Sequence, residues 1–177
     1  MPGVEKKASP AEVQYDDIPR TADERATLVA FLEWQRSTLK RKCAGLTAEQ
    51  LRRRSAAPST LSLLGLIRHM TDVERGWFRR TLGREDVGDR YATDADPDAD
   101  FNDIDDADID ETFAAWRSEC ERASQVIAPY QLADEGRQRT GRAVSLRWIL
   151  VHMIEEYSRH NGHADLLRER IDGATGY

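Results

Sequence analysis

Three of the chain's four histidines fall in one short run, His152-Met153-Ile154-Glu155-Glu156-Tyr157-Ser158-Arg159-His160-Asn161-Gly162-His163. Helical residues turn by roughly 100° each, so side chains four apart share a face. His152, Glu156 and His160 therefore align, and His163 falls close to the same line. An imidazole and a carboxylate one turn apart can reach a single metal ion from a rigid backbone. Two donors do not make a tight site, and His69, far away in sequence, is the only histidine outside this run. A neighbouring antiparallel helix could deliver it. His69, Glu156 and His160 are the expected ligands of a two-histidine, one-carboxylate site with positions left open for water or substrate. Zinc suits these donors first, and nickel or iron in a facial triad suits them next. His152 and His163 are the spare donors, either supporting the ligands or lining the opening. The competing explanation is an ion pair between Glu156 and a protonated histidine, which would also compensate a carboxylate set among apolar groups.

Four amphipathic helices are predicted along the chain, and the second and fourth carry these residues. The capping-box spacing of Thr21 and Glu24 starts the first, which runs to about Cys43 with Leu28, Phe31, Leu32, Gln35 and Leu39 on one side. Gly45 stops it, and Thr47 caps a short turn through Leu51. Ser59 or Thr60 caps a second helix from Leu61 to Leu82, whose stripe Leu63, Leu66, Met70, Val73 and Trp77 has His69 at its edge. Gly88 to Ile109 reads as a long, solvated acidic loop. Within it Asp94, Asp96 and Asp98 have the spacing of a calcium loop, but Ala99 stands where that loop needs glycine. A third helix spans about Ile109 to Ala128. Tyr130 to Val144 is a connection with room for extended pieces near Arg139 and Arg142. A fourth helix runs from the Ser145 cap to about Ile171. The expected fold is all-α, a four-helix bundle with the acidic loop between its second and third helices. Residues 1–20, rich in proline and charge, read as a flexible N-terminal arm, and 21–177 as one helical domain.

Composition narrows the partners. The 177 residues carry a net charge of −6, which opposes nucleic-acid binding despite the clusters Arg52-Arg53-Arg54 and Arg79-Arg80. No apolar run approaches the roughly 18 residues of a membrane span, and no secretory signal stands at the N-terminus, so the expected location is cytoplasmic. The two cysteines, Cys43 and Cys120, have no ligand spacing and read as small reduced hydrophobes.

The segment Leu66-Ile67-Arg68-His69-Met70-Thr71-Asp72-Val73-Glu74-Arg75-Gly76-Trp77-Phe78, taken with the run from Glu156 to Glu169, resembles the DinB/YfiT-like superfamily, and within it the actinobacterial mini-circle branch. The likeness covers about Thr21 to Ile171. It implies a four-helix bundle, often a homodimer, with a divalent metal held by one donor on the second helix and two donors four apart on the last. His69, Glu156 and His160 match those positions. Glu156 departs from the usual all-histidine triad and is similar in this to the mycothiol-dependent maleylpyruvate isomerases. The resemblance implies an S-transferase or isomerase that joins a small-molecule thiol such as mycothiol to an electrophile. Arg159 is then a candidate partner for a cosubstrate carboxylate, with a surface salt bridge as its plainer role, and Trp77 a candidate pocket wall, with core packing as its plainer role. The alternative to an enzyme is a non-catalytic metal-binding or dimeric scaffold.

Overall fold

Cap residues decide where the helices begin. The computed structural model describes residues 14–175. Helix α1 (Glu24–Cys43) starts where the Ala26 N–H donates to the Asp23 carboxylate, so Asp23 rather than Thr21 is the cap. Both residue types cap well, and Asp23 holds the helix start two residues later. Thr47 and Gln50 form the capping box of the short α2 (Ala48–Arg52). Ser62 caps α3 (Leu63–Glu74), and Ser145 caps α6 (Leu146–Asp172) by accepting from the Trp148 N–H. Between them lie α4 (Ala99–Asn102) and α5 (Ile109–Ile127), the latter capped by Asp108. Gly173 ends α6 in the left-handed region, φ 78°, where a residue without Cβ is least strained.

The second expected helix differs in two ways. It starts at Leu63, and from Arg75 to Leu82 its winding widens to π-helix, with the Gly83 N–H bonded back to the Phe78 carbonyl. In this wider winding Arg75 and Arg79 both reach Glu119 on α5, at 2.6 and 3.0 Å. The connection before α6 contains a two-stranded antiparallel hairpin, β1 (Glu135–Arg137) with β2 (Ala143–Ser145), in register Gly136↔Val144. The fold is therefore mostly helical with one small sheet.

Helix α1 packs mainly along α6, and α3 against α5. Between them Leu39, Leu66, Met70, Phe78, Ile149 and Met153 are fully buried, each contributing about 1.5–3 kcal/mol by leaving water. One polar network joins the four long helices inside this core. Arg36 of α1 donates two hydrogen bonds, at 2.7 and 2.5 Å, to Glu74 of α3, which is 0 % exposed. Tyr157 of α6 donates to the same carboxylate at 2.7 Å and accepts from the Trp116 indole of α5 at 2.9 Å. Burial acts to lower the Arg36 pKa, but Glu74, together with Cys120 and Tyr157, outweighs it and holds the guanidinium charged.

The expected N-terminal arm falls in part on residues 1–13, outside the described residues. Of the rest, Tyr15–Asp17 form a 3-10 turn, Ile18 is buried, and the Tyr15 ring meets Trp34 edge-on at 5.2 Å. No helix among the described residues is long and apolar enough to cross a membrane.

Candidate metal centre

Helices α3 and α6 bring His69, Glu156 and His160 together. One donor atom from each lies within 4.8 Å of the other two. The His69 and His160 rings meet edge-on at 4.8 Å between centroids, and His160 Nε2 lies 3.5 Å from Glu156 Oε2. His160 points into the core, 9 % exposed, while His69 and Glu156 are half-buried.

A residue that sequence reasoning did not single out holds His69 in place. Asp100 of α4 is 4 % exposed, and its Oδ2 lies 2.8 Å from His69 Nδ1. Carboxylate acceptance at Nδ1 leaves Nε2 as the free lone pair, the tautomer a metal-binding imidazole needs. Contacts with α3 place Asp100. A Cβ on Gly65 would lie 2.6 Å from the Phe101 ring, so only glycine lets α4 sit this close. Arg68 donates to the Asp100 and Ala99 carbonyls at 3.0 and 3.1 Å, and Phe101 stacks on His69 at 5.3 Å. The acidic connection is thus not solvated throughout: Asp100 and Ile104 are buried, and Asp72 fastens another part by accepting the N–H groups of Arg90, Tyr91 and Ala92. Asp96, in the stretch with calcium-like spacing, instead accepts from the Asp98 N–H and the Asn102 amide.

The other sequence candidates surround this cluster. His163 Nδ1 lies 3.4 Å from His160 Nδ1. His152 Nε2 lies 3.4 Å from Glu156 Oε1, on the side away from His160. Trp77 meets the His152 ring edge-on at 4.6 Å, and Trp148 stacks on it at 4.9 Å. Trp148, which sequence reasoning did not name, is 45 % exposed and completes an aromatic wall. Trp77 also lines a cleft of about 440 Å³ that opens at His69, with Asp72, Arg80, Asp89 and Arg139 among the other lining residues. Both arginines of that cleft face Asp89, at 2.7 and 3.5 Å. Arg159 is exposed and pairs with Glu155 one turn back along α6, the geometry of a surface salt bridge.

The electrostatics favour neutral donors. Burial first, then His69, His163 and Arg159, pushes the His160 imidazole down from 6.5 to about 4. At pH 7 the ring is accordingly neutral, with one nitrogen carrying its proton and the other offering a lone pair. The carboxylate–imidazole separations of 3.4 and 3.5 Å exceed the 2.7–3.2 Å of a good hydrogen bond. Two imidazoles and a carboxylate spaced in this way suit a divalent cation of borderline softness.

The depressed His160 value has a consequence for stability. Between pH 6.5 and about 4 the unfolded chain binds a proton at His160 that the folded chain does not. Stability of the metal-free protein therefore rises with pH through that window and falls on acidification. In chelator, the urea midpoint is expected to drop from pH 7 to pH 5, and to drop less in His160→Phe. Equal drops in both proteins would contradict the assignment.

Comparison with known proteins settles the lineage. A family model described as mycothiol-S-transferase matches residues 27–173, from the first turn of α1 to the end of α6. The chain belongs to the mycothiol-S-transferase family. This family is DinB/YfiT-like, as the motifs around His69 and His160 suggest. No curated protein matches the chain in sequence. All three converging donors and the aromatic wall of this mycothiol-S-transferase family member lie inside the matched span.

Proposed function

We propose that the protein is a divalent-metal-dependent mycothiol S-transferase, with His69, Glu156 and His160 as the metal ligands. The convergence of these three donors within 4.8 Å, inside a chain of this family, carries the reading. Zinc is the metal we favour, because the donors are nitrogen and carboxylate oxygen and the site leaves room for a thiol. A divalent ion held there would lower the pKa of a bound thiol, so that the nucleophilic thiolate exists at neutral pH.

The chain's own residues supply position and environment. Asp100 holds His69 in one tautomer, and burial keeps His160 neutral. Trp77 lines the cleft at His69, packs against His152 and Trp148, and offers an apolar surface to an electrophile. S-transfer would release the thiol proton, form a sulfur–carbon bond and break one carbon bond of the electrophile, the electron pair leaving with a halide or staying on an epoxide's ring-opened oxygen, which takes up a proton. The four long helices are read as a four-helix bundle acting in the cytoplasm, with homodimerisation as the resemblance implies.

Neither protein thiol serves as nucleophile in this account. Burial pushes the Cys43 thiol up to about 12, and burial with the nearby Glu74 raises Cys120 well above its ordinary value. Cys43→Ala and Cys120→Ala are expected to keep S-transfer activity once folding is matched by circular dichroism. Loss of activity in a folded variant would return the nucleophile to the protein. Asp100→Asn is expected to weaken zinc binding about 10–100-fold while the fold survives, because an amide no longer fixes the His69 tautomer. Unchanged affinity by competition with a chromogenic chelator would remove Asp100 from the site.

The functional test is direct. Zinc-loaded protein is incubated with mycothiol and a panel of epoxides and halogenated aromatics, and conjugates are followed by mass spectrometry. Conjugate formation that stops on chelation supports the reading. Tight zinc binding without any conjugate, and without mycothiol binding by calorimetry, would favour the non-catalytic scaffold.

A further inference from the structure

We propose that α6 carries a second divalent-cation site, formed by His152, Glu155 and Glu156, and that the Glu156 carboxylate is shared between it and the His69–His160 pair. The proposal rests on the preceding reading only through that sharing.

Glu156 lies midway between two imidazoles on its own helix. His152, one turn before it, presents Nε2 to Oε1 at 3.4 Å, and His160, one turn after it, presents Nε2 to Oε2 at 3.5 Å. Each carboxylate oxygen thus faces a different ring. One donor atom from each of His152, Glu155 and Glu156 also lies within 4.8 Å of the other two, a second convergent set beside the first. Glu155 approaches the same ring, with Oε2 3.9 Å from His152 Nδ1, while its Oε1 is held by Arg159; the ion would take a single nitrogen of His152. The result is a bidentate-capable carboxylate bridging two donor groups, an arrangement in which hard and borderline divalent ions can be held as a pair.

The His152 ring is also preorganised for this role. Trp148 stacks on one side of it and Trp77 abuts it, so little side-chain freedom remains to be lost on binding an ion. An ordinary surface histidine would have neither restraint. Glu155 brings a carboxylate of its own to this set, so the second ion does not depend on the shared Glu156 alone for negative charge. Glu155 is exposed and shared with Arg159, so this site is the weaker of the two. Chelating groups at one-turn spacing on a helix present a divalent ion such as zinc with nitrogen and oxygen donors from one rigid segment.

The test is metal stoichiometry of the full chain. Protein stripped with chelator is titrated with zinc and examined by native mass spectrometry and calorimetry. Two ions per chain are expected, one tight and one weak. His152→Ala and Glu155→Gln should each lose the weak ion and keep the tight one, whereas His69→Ala should lose the tight one. Glu155 is exposed, so its variant keeps the experiment informative should His152→Ala fold poorly. A single ion per chain that disappears in His69→Ala would overturn the second site and leave the first intact. Two ions that both survive His152→Ala and Glu155→Gln would equally overturn it. A folded wild-type chain that binds no zinc would overturn both sites.

Discussion

His69→Ala and His160→Ala are expected to purify without stoichiometric metal and to lose S-transfer by about 10³-fold. Each deletion leaves two donors, too few to hold a divalent ion against water and buffer. Loss of the ion forfeits several kcal/mol of electrostatic assistance, and at 1.36 kcal/mol per decade this gives about three orders of magnitude in rate. Neither change should unfold the chain. His69 is half-buried beside the cleft, and His160 is an apolar-facing imidazole whose removal leaves a small space. Elemental analysis and a kinetic assay check the two halves of the expectation separately. Full metal content in both variants would contradict the ligand assignment whatever happened to the rate.

Glu74→Ala is expected to be the most damaging change away from the site, destabilising the fold by about 3–5 kcal/mol. For a chain of this size that corresponds to a fall in Tm of roughly 6–20 °C. The reason is the network inside the core. Removing the Glu74 carboxylate leaves Arg36 charged and buried with only the more exposed Glu33, 2.6 Å away, as counter-ion, and takes from Tyr157 the acceptor it uses at 2.7 Å. Replacing both charges, as in Arg36→Met with Glu74→Leu, should cost less than either single change, because no uncompensated charge remains. A double-mutant cycle by urea denaturation measures that coupling. Additive single effects would mean that Glu74 and Arg36 act independently.

The legible parts of this molecule are those fixed by local chemistry. Ser145 and Thr47 stand as caps immediately before their helices, and the four-residue spacing of His152, Glu156 and His160 survives intact because a helix imposes it. His69 needed one further step, that a second apolar helix would lie beside the last one. Other features depend on contacts distant in sequence. Among the many aspartates between 89 and 110, only the packing of Phe101 against Gly65 and the reach of Arg68 select Asp100 for burial. Phe101 and Ile104, apolar residues in an acidic stretch, were the available hint. Glu74 lies on the same helical face as Ile67 and Met70, a position that signals a buried charge, yet its partner Arg36 is 38 residues away. The π-helical winding from Arg75 to Leu82 leaves no mark in the residue pattern, since its apolar residues fit ordinary helical spacing almost as well. Thr21 and Asp23 compete as caps with similar chemistry, and local reading cannot separate them.

The most direct test is a crystal of zinc-loaded protein measured on both sides of the zinc absorption edge. An anomalous peak within about 2.0–2.2 Å of a nitrogen of His69, a nitrogen of His160 and an oxygen of Glu156 is the predicted result. A peak bound elsewhere in the chain, with those three side chains left uncoordinated at full zinc loading, would contradict it.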